Sequence, residues 1–369
     1  MADGMKTEHK TPSDITQIPI VWRYELLKYL RSRRLLASVG IAFLVLALIY
    51  VLPPALGQPY SGTDRDEPIG LMSTDQILPS GWVGPHPLSA GILYRSQIDQ
   101  STFQIRVNGS EYPSDNGANW TISRITYQGQ GVYVVLFMQN LTDKVVTATY
   151  EWYTSPQSFA TAFLSFAGIL VVICATFFGA DALVSEFQNR TGYLIFPNPM
   201  KREVLFLGKF SASMTAGGIV IGLFYAGVGI MSLFQARGID ADFAASLAFA
   251  AEYLLAAMAV AYVISAVLKG TTGATVLTFF LFLMIFNIID GIALLTGVKL
   301  TASLLFSAGV ITYILIDPYP TDWSQTFPGG FNINNFYPDP ATAALVMVLW
   351  TVIAIAVSLL LFRRKQLVG

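Results

Sequence analysis

Residues 35–52 read LLASVGIAFLVLALIYVL, without a charged side chain at any position. A helix rises about 1.5 Å per residue and a hydrocarbon core is about 30 Å thick, so a run of this kind nearly spans a bilayer. Five further runs match it: 158–178, 210–234, 243–268, 272–295 and 341–362, each with at most one acidic residue and no basic one. A seventh apolar stretch, 301–316, is short for a span and ends in the turn-rich DPYPTDW; it reads as a re-entrant or interfacial helix. The first run follows seven Lys or Arg, lacks a small-residue cleavage site and is long for a leader, so it is expected to stay as an anchor.

Composition agrees with six passes. Hydrophobic residues make up 54% of the 369 positions, charged residues 12%, and mean hydropathy is +0.55. Soluble chains carry about 25% charged residues, and the shortfall is surface that never meets water. The net charge of -1 gives no footprint for nucleic acid. One cysteine, Cys174, and two histidines, His9 and His86, leave no material for a disulfide framework, a zinc cluster or a Cys/His nucleophile, and no metal site is expected.

Basic residues set the expected orientation. With both termini in the cytoplasm, fifteen of the 22 Lys and Arg fall on the inner side: Lys6 to Arg34 before the first run, Arg190, Lys201, Arg202 and Lys209 between the second and third, Lys269, and Arg363 to Lys365. Counting 301–316 as a span would put the closing FRRK outside. Residues 1–19 read as a flexible cytoplasmic tail. The expected location is the cell membrane.

Three segments between the runs carry further information. IVWRYELLKYLRSRR, residues 20–34, places Trp22, Leu26, Tyr29 and Leu30 on one arc and Glu25, Lys28, Arg31 and Ser32 on the other. Such an amphipathic helix would lie in the headgroup plane before the first run; the plainer reading is a solvated basic flank. Residues 57–155 change to Pro, Gly, Ser, Asn and aromatics with alternating periodicity. STFQIRV, WTISRITY, VYVVLFMQ and VVTATYEWY read as strands of a β-rich external domain. Sequons at Asn108, Asn119 and Asn140 suit an outward surface as a glycoprotein, although a fourth match at Asn189 falls in a segment expected to be cytoplasmic.

The loop GADALVSEFQNRTGYLIFPNPMKREV, residues 179–204, is the third. Asp181, Glu186 and Arg190 interleave with Leu183, Phe187, Tyr193 and Leu194 at helical spacing until Pro197 and Pro199 stop the helix. A short half-apolar helix facing water needs a protein partner.

RYELLKYLRSRR before the first run, DALVSEFQNRTGYLIFPNPMKREVLFLGKF after the second, and the six-run layout together resemble the permease subunit of an ABC transporter of ABC-2 type. The resemblance covers residue 20 to the end, and its most specific stretch is 181–210. It implies a mainly α polytopic fold of six transmembrane helices with an N-terminal elbow helix (Trp22, Leu26, Tyr29, Arg31). It also implies a coupling helix that docks on a cytoplasmic ATPase, assigned to Asp181, Glu186, Arg190, Thr191, Gly192, Tyr193 and Leu194. Two permeases, as a homodimer or with a sister permease, would pair with two ATPase subunits to form an exporter. The long insert after the first run departs from many members of the family. No G-x-x-x-x-G-K-[ST] phosphate loop occurs in the chain, so ATP and Mg would be used by the partner subunit, no cofactor is expected here, and the chain is not expected to be an enzyme.

Single residues inside the runs have competing readings. Glu252 must be paired, protonated or wetted: it either lines a substrate path or dimer interface, or makes a helix-to-helix hydrogen bond. Asp290, near the outer face, reads as a solvated interfacial acid, and Asn287 one turn earlier as a bond across helices. Gly218, Gly222 and Ala226 form a small-residue face that is either tight packing within the chain or a dimer seam. Cys174 reads as a small apolar residue. Trp82, Trp152 and the tyrosines at 150–153 read as core or headgroup anchors, or as an aromatic patch for cargo. Against the transporter stand a membrane-anchored extracellular binding or sensory protein, which would not need the structured, half-apolar stretch Asp181 to Leu194, and an intramembrane hydrolase or glycosyl-transferring enzyme, which lacks a catalytic cluster.

Overall fold

The computed structural model describes residues 14–74, 87–93, 95, 97–115, 117–127, 130–188, 201–326 and 332–364. Six of its helices are long and apolar enough to cross a membrane: Arg33–Ala55, Pro156–Gln188, Arg202–Gln235, Phe243–Val267, Thr271–Leu295 and Pro340–Arg364, called the first to sixth spans below. Each coincides with one of the six apolar runs; the second and third continue well past theirs into polar flanks, and the fourth stops one residue short of its run. Residues 301–316 form no seventh span; they hold two short helices, Leu304–Ala308 and Val310–Tyr313.

The chain divides into two compact units. The larger comprises the described residues within 1–47, 163–228 and 241–369. The second and fourth spans are its core, each 61% buried over its most apolar window, whereas the fifth is 17% buried and turns outward. Alanine makes the core possible: Ala256, Ala257, Ala259 and Ala261 of the fourth span are fully buried. Gly179 completes the approach, since a Cβ there would lie 2.9 Å from Ala261 Cβ and 2.7 Å from Met258 Sδ. The short helices at 304–313 pack on the fourth span, where Ser246 Oγ donates to Ile311 O at 2.6 Å.

The smaller unit, within 48–162 and 229–240, is a β-sandwich. Its strands are β1 (Ser61–Pro68), β2 (Leu71–Met72), β3 (Ser89–Leu93), β4 (Gln97–Val107), β5 (Ser110–Glu111), β6 (Trp120–Tyr127), β7 (Gln130–Phe137) and β8 (Val146–Tyr153). They form two antiparallel sheets, ordered β1-β8-β4-β5 and β2-β3-β7-β6. Alternate residues of both sheets meet in one core that contains Phe103, Ile105, Trp120, Val135, Phe137, Ala148 and Tyr150. The four strands read from periodicity correspond to β4, β6, β7 and β8. The edge strand β1, SGTDRDEP, carries no such pattern: its acids pair with arginines, Asp64 with Arg95 at 2.7 Å and Asp66 with Arg106 at 3.1 Å. Arg237, in the connection after the third span, holds this unit from another side. It donates to Asp99 Oδ2 at 2.6 Å, reaches Glu151 at 3.4 Å and lies 4.8 Å from the Tyr153 ring centroid. Asn108 and Asn140 are exposed on turns of this unit, while Asn119 donates its side-chain amide to Pro113 O at 2.9 Å.

Candidate functional site

A buried polar cluster of the larger unit lies where the 179–204 loop joins the spans. It starts from a helix, Asp14–Leu30, that precedes the first span. Val21, Glu25 and Tyr29 recur every four residues and form its buried face. The sequence placed Glu25 on the solvated arc. The structure corrects this, because the neighbour on that side is polar: Lys209 at the head of the third span is 1% exposed, and its Nζ lies 2.7 Å from Glu25 Oε1 and 2.6 Å from Glu186 Oε1. A lysine so deeply buried is held only by opposite charge, and two carboxylates supply it. Lys28, largely exposed, approaches Glu25 from outside at 3.6 Å.

Around this triad the contacts reach other elements. Val21 fits only because residue 208 is glycine, where a Cβ would lie 2.6 Å from the valine side chain. Trp22 Nε1 donates to Thr215 Oγ1 at 3.0 Å. Tyr29 donates to Phe178 O at 3.0 Å, and burial pushes its phenol up to about 12, so that it remains a neutral donor. Phe178 sits in a π-helical segment, Ala175–Gly179, whose widened turn leaves carbonyls for side chains. Ser213 donates to the same oxygen at 2.9 Å and pairs with Tyr262 of the fourth span at 2.8 Å. Arg34, at the start of the first span, bonds Asp181.

Both described ends of the loop are pinned. On the entering side Ser265 Oγ of the fourth span accepts from Leu183 N at 2.9 Å and Val184 N at 3.1 Å. Gln188 Oε1 accepts from Thr271 N at 2.7 Å and so caps the fifth span. Phe187 meets the Phe362 ring of the sixth span edge-on at 5.9 Å. On the leaving side Arg202 donates to Arg363 O at 2.7 Å, and Glu203 pairs with Arg363 at 2.7 Å. The loop is thus tied to the N-terminal helix and to all six spans.

Of the residues assigned to the docking helix, Arg190, Thr191, Gly192, Tyr193 and Leu194 lie outside the described residues. Asp181 and Glu186 are buried and engaged with Arg34 and Lys209. They face the chain's own helices. Glu25 and Lys209 are the members of this cluster that the sequence reading missed; a lysine immediately before a charge-free run is the signal that could have found Lys209.

The other residues singled out in the sequence have the following surroundings. Among the described residues nothing lies within 4 Å of a Cβ position at Gly218 or Gly222, and Ala226 is exposed beside them. Glu252 is half-buried and makes no hydrogen bond or ion pair among the described residues. Asp290 is not a freely solvated acid: its Oδ1 is buried without a partner among the described residues. Asn287 bonds within its own helix, donating to Leu283 O at 3.1 Å beside the π-helical Leu281–Ile285. Cys174 is buried in the second span, Tyr150 is core and Trp82 lies outside the described residues. Among the described residues no group of three or more His, Cys, Asp or Glu is placed to hold a metal ion.

Comparison with known proteins places the chain: the family model described as ABC-2 family transporter protein matches residues 19–367. No curated protein matches the chain.

Proposed function

Because the chain belongs to the ABC-2 family of transporter proteins, we propose that it is the permease subunit of an ATP-driven exporter, moved by a separate ATPase that docks on the 179–204 loop. The observation that carries this is the attachment of the loop, which continues the second span, to the other five spans through Arg34, Lys209, Ser265, Thr271 and Arg363. A push on such a loop displaces the helices together as one body. A passive anchor has no use for that linkage, which disfavours the binding or sensory reading. The distribution of basic residues supports cytoplasmic termini and an external β-sandwich. The outward Gly218, Gly222 and Ala226 and the exposed fifth span support a second permease alongside.

The test separates docking from transmission. A tagged full-length chain is expected to retain a P-loop ATPase through purification. Arg190→Ala combined with Tyr193→Ala is expected to lower the retained ATPase by about ten-fold, the scale of one or two interface anchors. Glu186→Gln is expected to leave capture intact and slow transport. Unchanged capture by the double variant sinks the docking assignment.

A further inference from the structure

A cleft in two halves lies in the smaller unit where the first span turns into β1. One half, about 490 Å³, is lined by Tyr50, Val51, Pro54, Pro59 and Tyr60. The other, about 500 Å³, is lined by Pro59, Gly62, Asp64, Arg95 and Trp152. Pro59 belongs to both, so the halves adjoin, and each has the size of a small-molecule site.

Both walls are preformed. The Tyr50 and Tyr60 rings stack with centroids 6.1 Å apart and planes at 21°. Gln235 Nε2 donates to Tyr50 Oη at 2.6 Å, and Tyr60 donates to Ile49 O. In the other half Arg95 donates through Nε and Nη2 to the two Asp64 oxygens at 2.8 and 2.9 Å, and its guanidinium lies 4.2 Å from the Trp152 ring centroid. Gly62 leaves room for that indole, since a Cβ at 62 would lie 3.1 Å from it. Trp152 Nε1 is buried with no partner among the described residues.

The chemistry of the two halves differs and selects one kind of ligand. The first is apolar and aromatic and continues onto the exposed end of the span, where Val51, Leu52 and Leu56 are 59%, 49% and 72% exposed. The second offers a fixed ion pair of no net charge, with Arg95 still 34% and Asp64 18% exposed. Arg95 has N–H groups left for an acceptor and Asp64 has lone pairs left for a cation. A polyanion would gain at Arg95 and lose at Asp64, whereas a head with both charges gains at each.

We infer that this cleft binds a phospholipid with a zwitterionic phosphoester head, its phosphate at Arg95, its amine at Asp64 and the start of its acyl chain along Tyr50, Pro54 and Tyr60. The inference rests on reading the first span as membrane-crossing and goes beyond the permease proposal, because it assigns the outer domain a lipid ligand.

The experiment uses the full chain in phosphatidylglycerol nanodiscs, with no ATPase or nucleotide, doped with phosphatidylcholine bearing a diazirine near the carbonyl end of one acyl chain. Adducts mapped by mass spectrometry are expected to concentrate on residues 50–59. Lysophosphatidylcholine is expected to displace them, and an alkyl maltoside of equal chain length is not. Asp64→Asn and Arg95→Gln are each expected to cut labelling there by about ten-fold, as is Gly62→Val, which crowds Trp152. Labelling of the sixth span in the same samples reports that the variants are folded and embedded. Two results overturn the inference: undiminished labelling of 50–59 in Asp64→Asn with normal labelling of the sixth span, or equal labelling by a phosphatidylglycerol probe. Loss of ATPase capture with this labelling intact would sink the permease reading alone, and the reverse pattern would sink the cleft alone.

Discussion

Lys209 shows most clearly what a single side chain does in this protein. Replacing it by methionine takes the shared buried cation from Glu25 and Glu186, leaving only the largely exposed Lys28 at 3.6 Å from Glu25, and removing one member of a buried ion pair costs about 3–5 kcal/mol. The variant Lys209→Met is therefore expected to melt well below the native chain in detergent, as read by a thermal unfolding scan. Adding Glu25→Gln and Glu186→Gln removes the stranded charges and is expected to recover most of the loss; a triple variant no more stable than the single one would contradict the triad. A second residue-scale test concerns acid. Asp99 is held below the usual carboxylate range, first by the Ser101 hydroxyl and then by Arg237. Its contribution is complete above the ordinary Asp value of about 4 and is lost as pH falls through the lowered native value. Protease resistance of the smaller unit is expected to hold from pH 7 to about 5 and to weaken only below about 4. With Arg237→Ala the weakening begins at higher pH.

Elements differ in how openly their sequences announce them. Each span was legible because a bilayer demands a long charge-free run, and 35–52 could meet that demand in only one way. Strands β4, β6, β7 and β8 were legible because one face of each is core, which forces alternation. Strand β1 was not: its side chains Asp64, Asp66 and Glu67 bond Arg95, Arg106 and Tyr150, so its pairing is specified by charges distant in sequence. The charged site was hidden for the same reason. Glu25 and Lys209 are 184 residues apart, and no local pattern links them. Glu186 was visible as part of an ordered loop, but not the direction it faces, which depends on where Lys209 lands. Glycine at 179 belongs to the legible chemistry only in retrospect, since small residues are common in spans and the partner helix decides which are needed. Gly179→Val is expected to push the second and fourth spans apart against Ala261 and Met258 and to cost about 1–3 kcal/mol of stability. Gly218→Val meets open space and is expected to leave the isolated chain's thermal midpoint within about 2 °C.

At the scale of the whole molecule the question is which side of the membrane each end of the bundle occupies, because an ATPase grips only the side that holds ATP. The chain is well suited to answer it. Its sole cysteine, Cys174, is fully buried in the second span, so introduced thiols are read against a silent background. Asp143→Cys, on an exposed turn of the β-sandwich, is expected to react with a membrane-impermeant maleimide in intact cells. Arg190→Cys is expected to react only after the membrane is opened. The same pair tests the mechanical reading: once an ATPase is bound, Arg190→Cys is expected to lose reactivity in opened membranes while Asp143→Cys keeps its own, because docking covers the 179–204 loop and not the Asp143 turn. Labelling of Arg190→Cys in intact cells would place the loop outside. The tie from Glu186 through Lys209 to Glu25 would then still brace the helices, but it could not carry the force of a cytoplasmic ATPase.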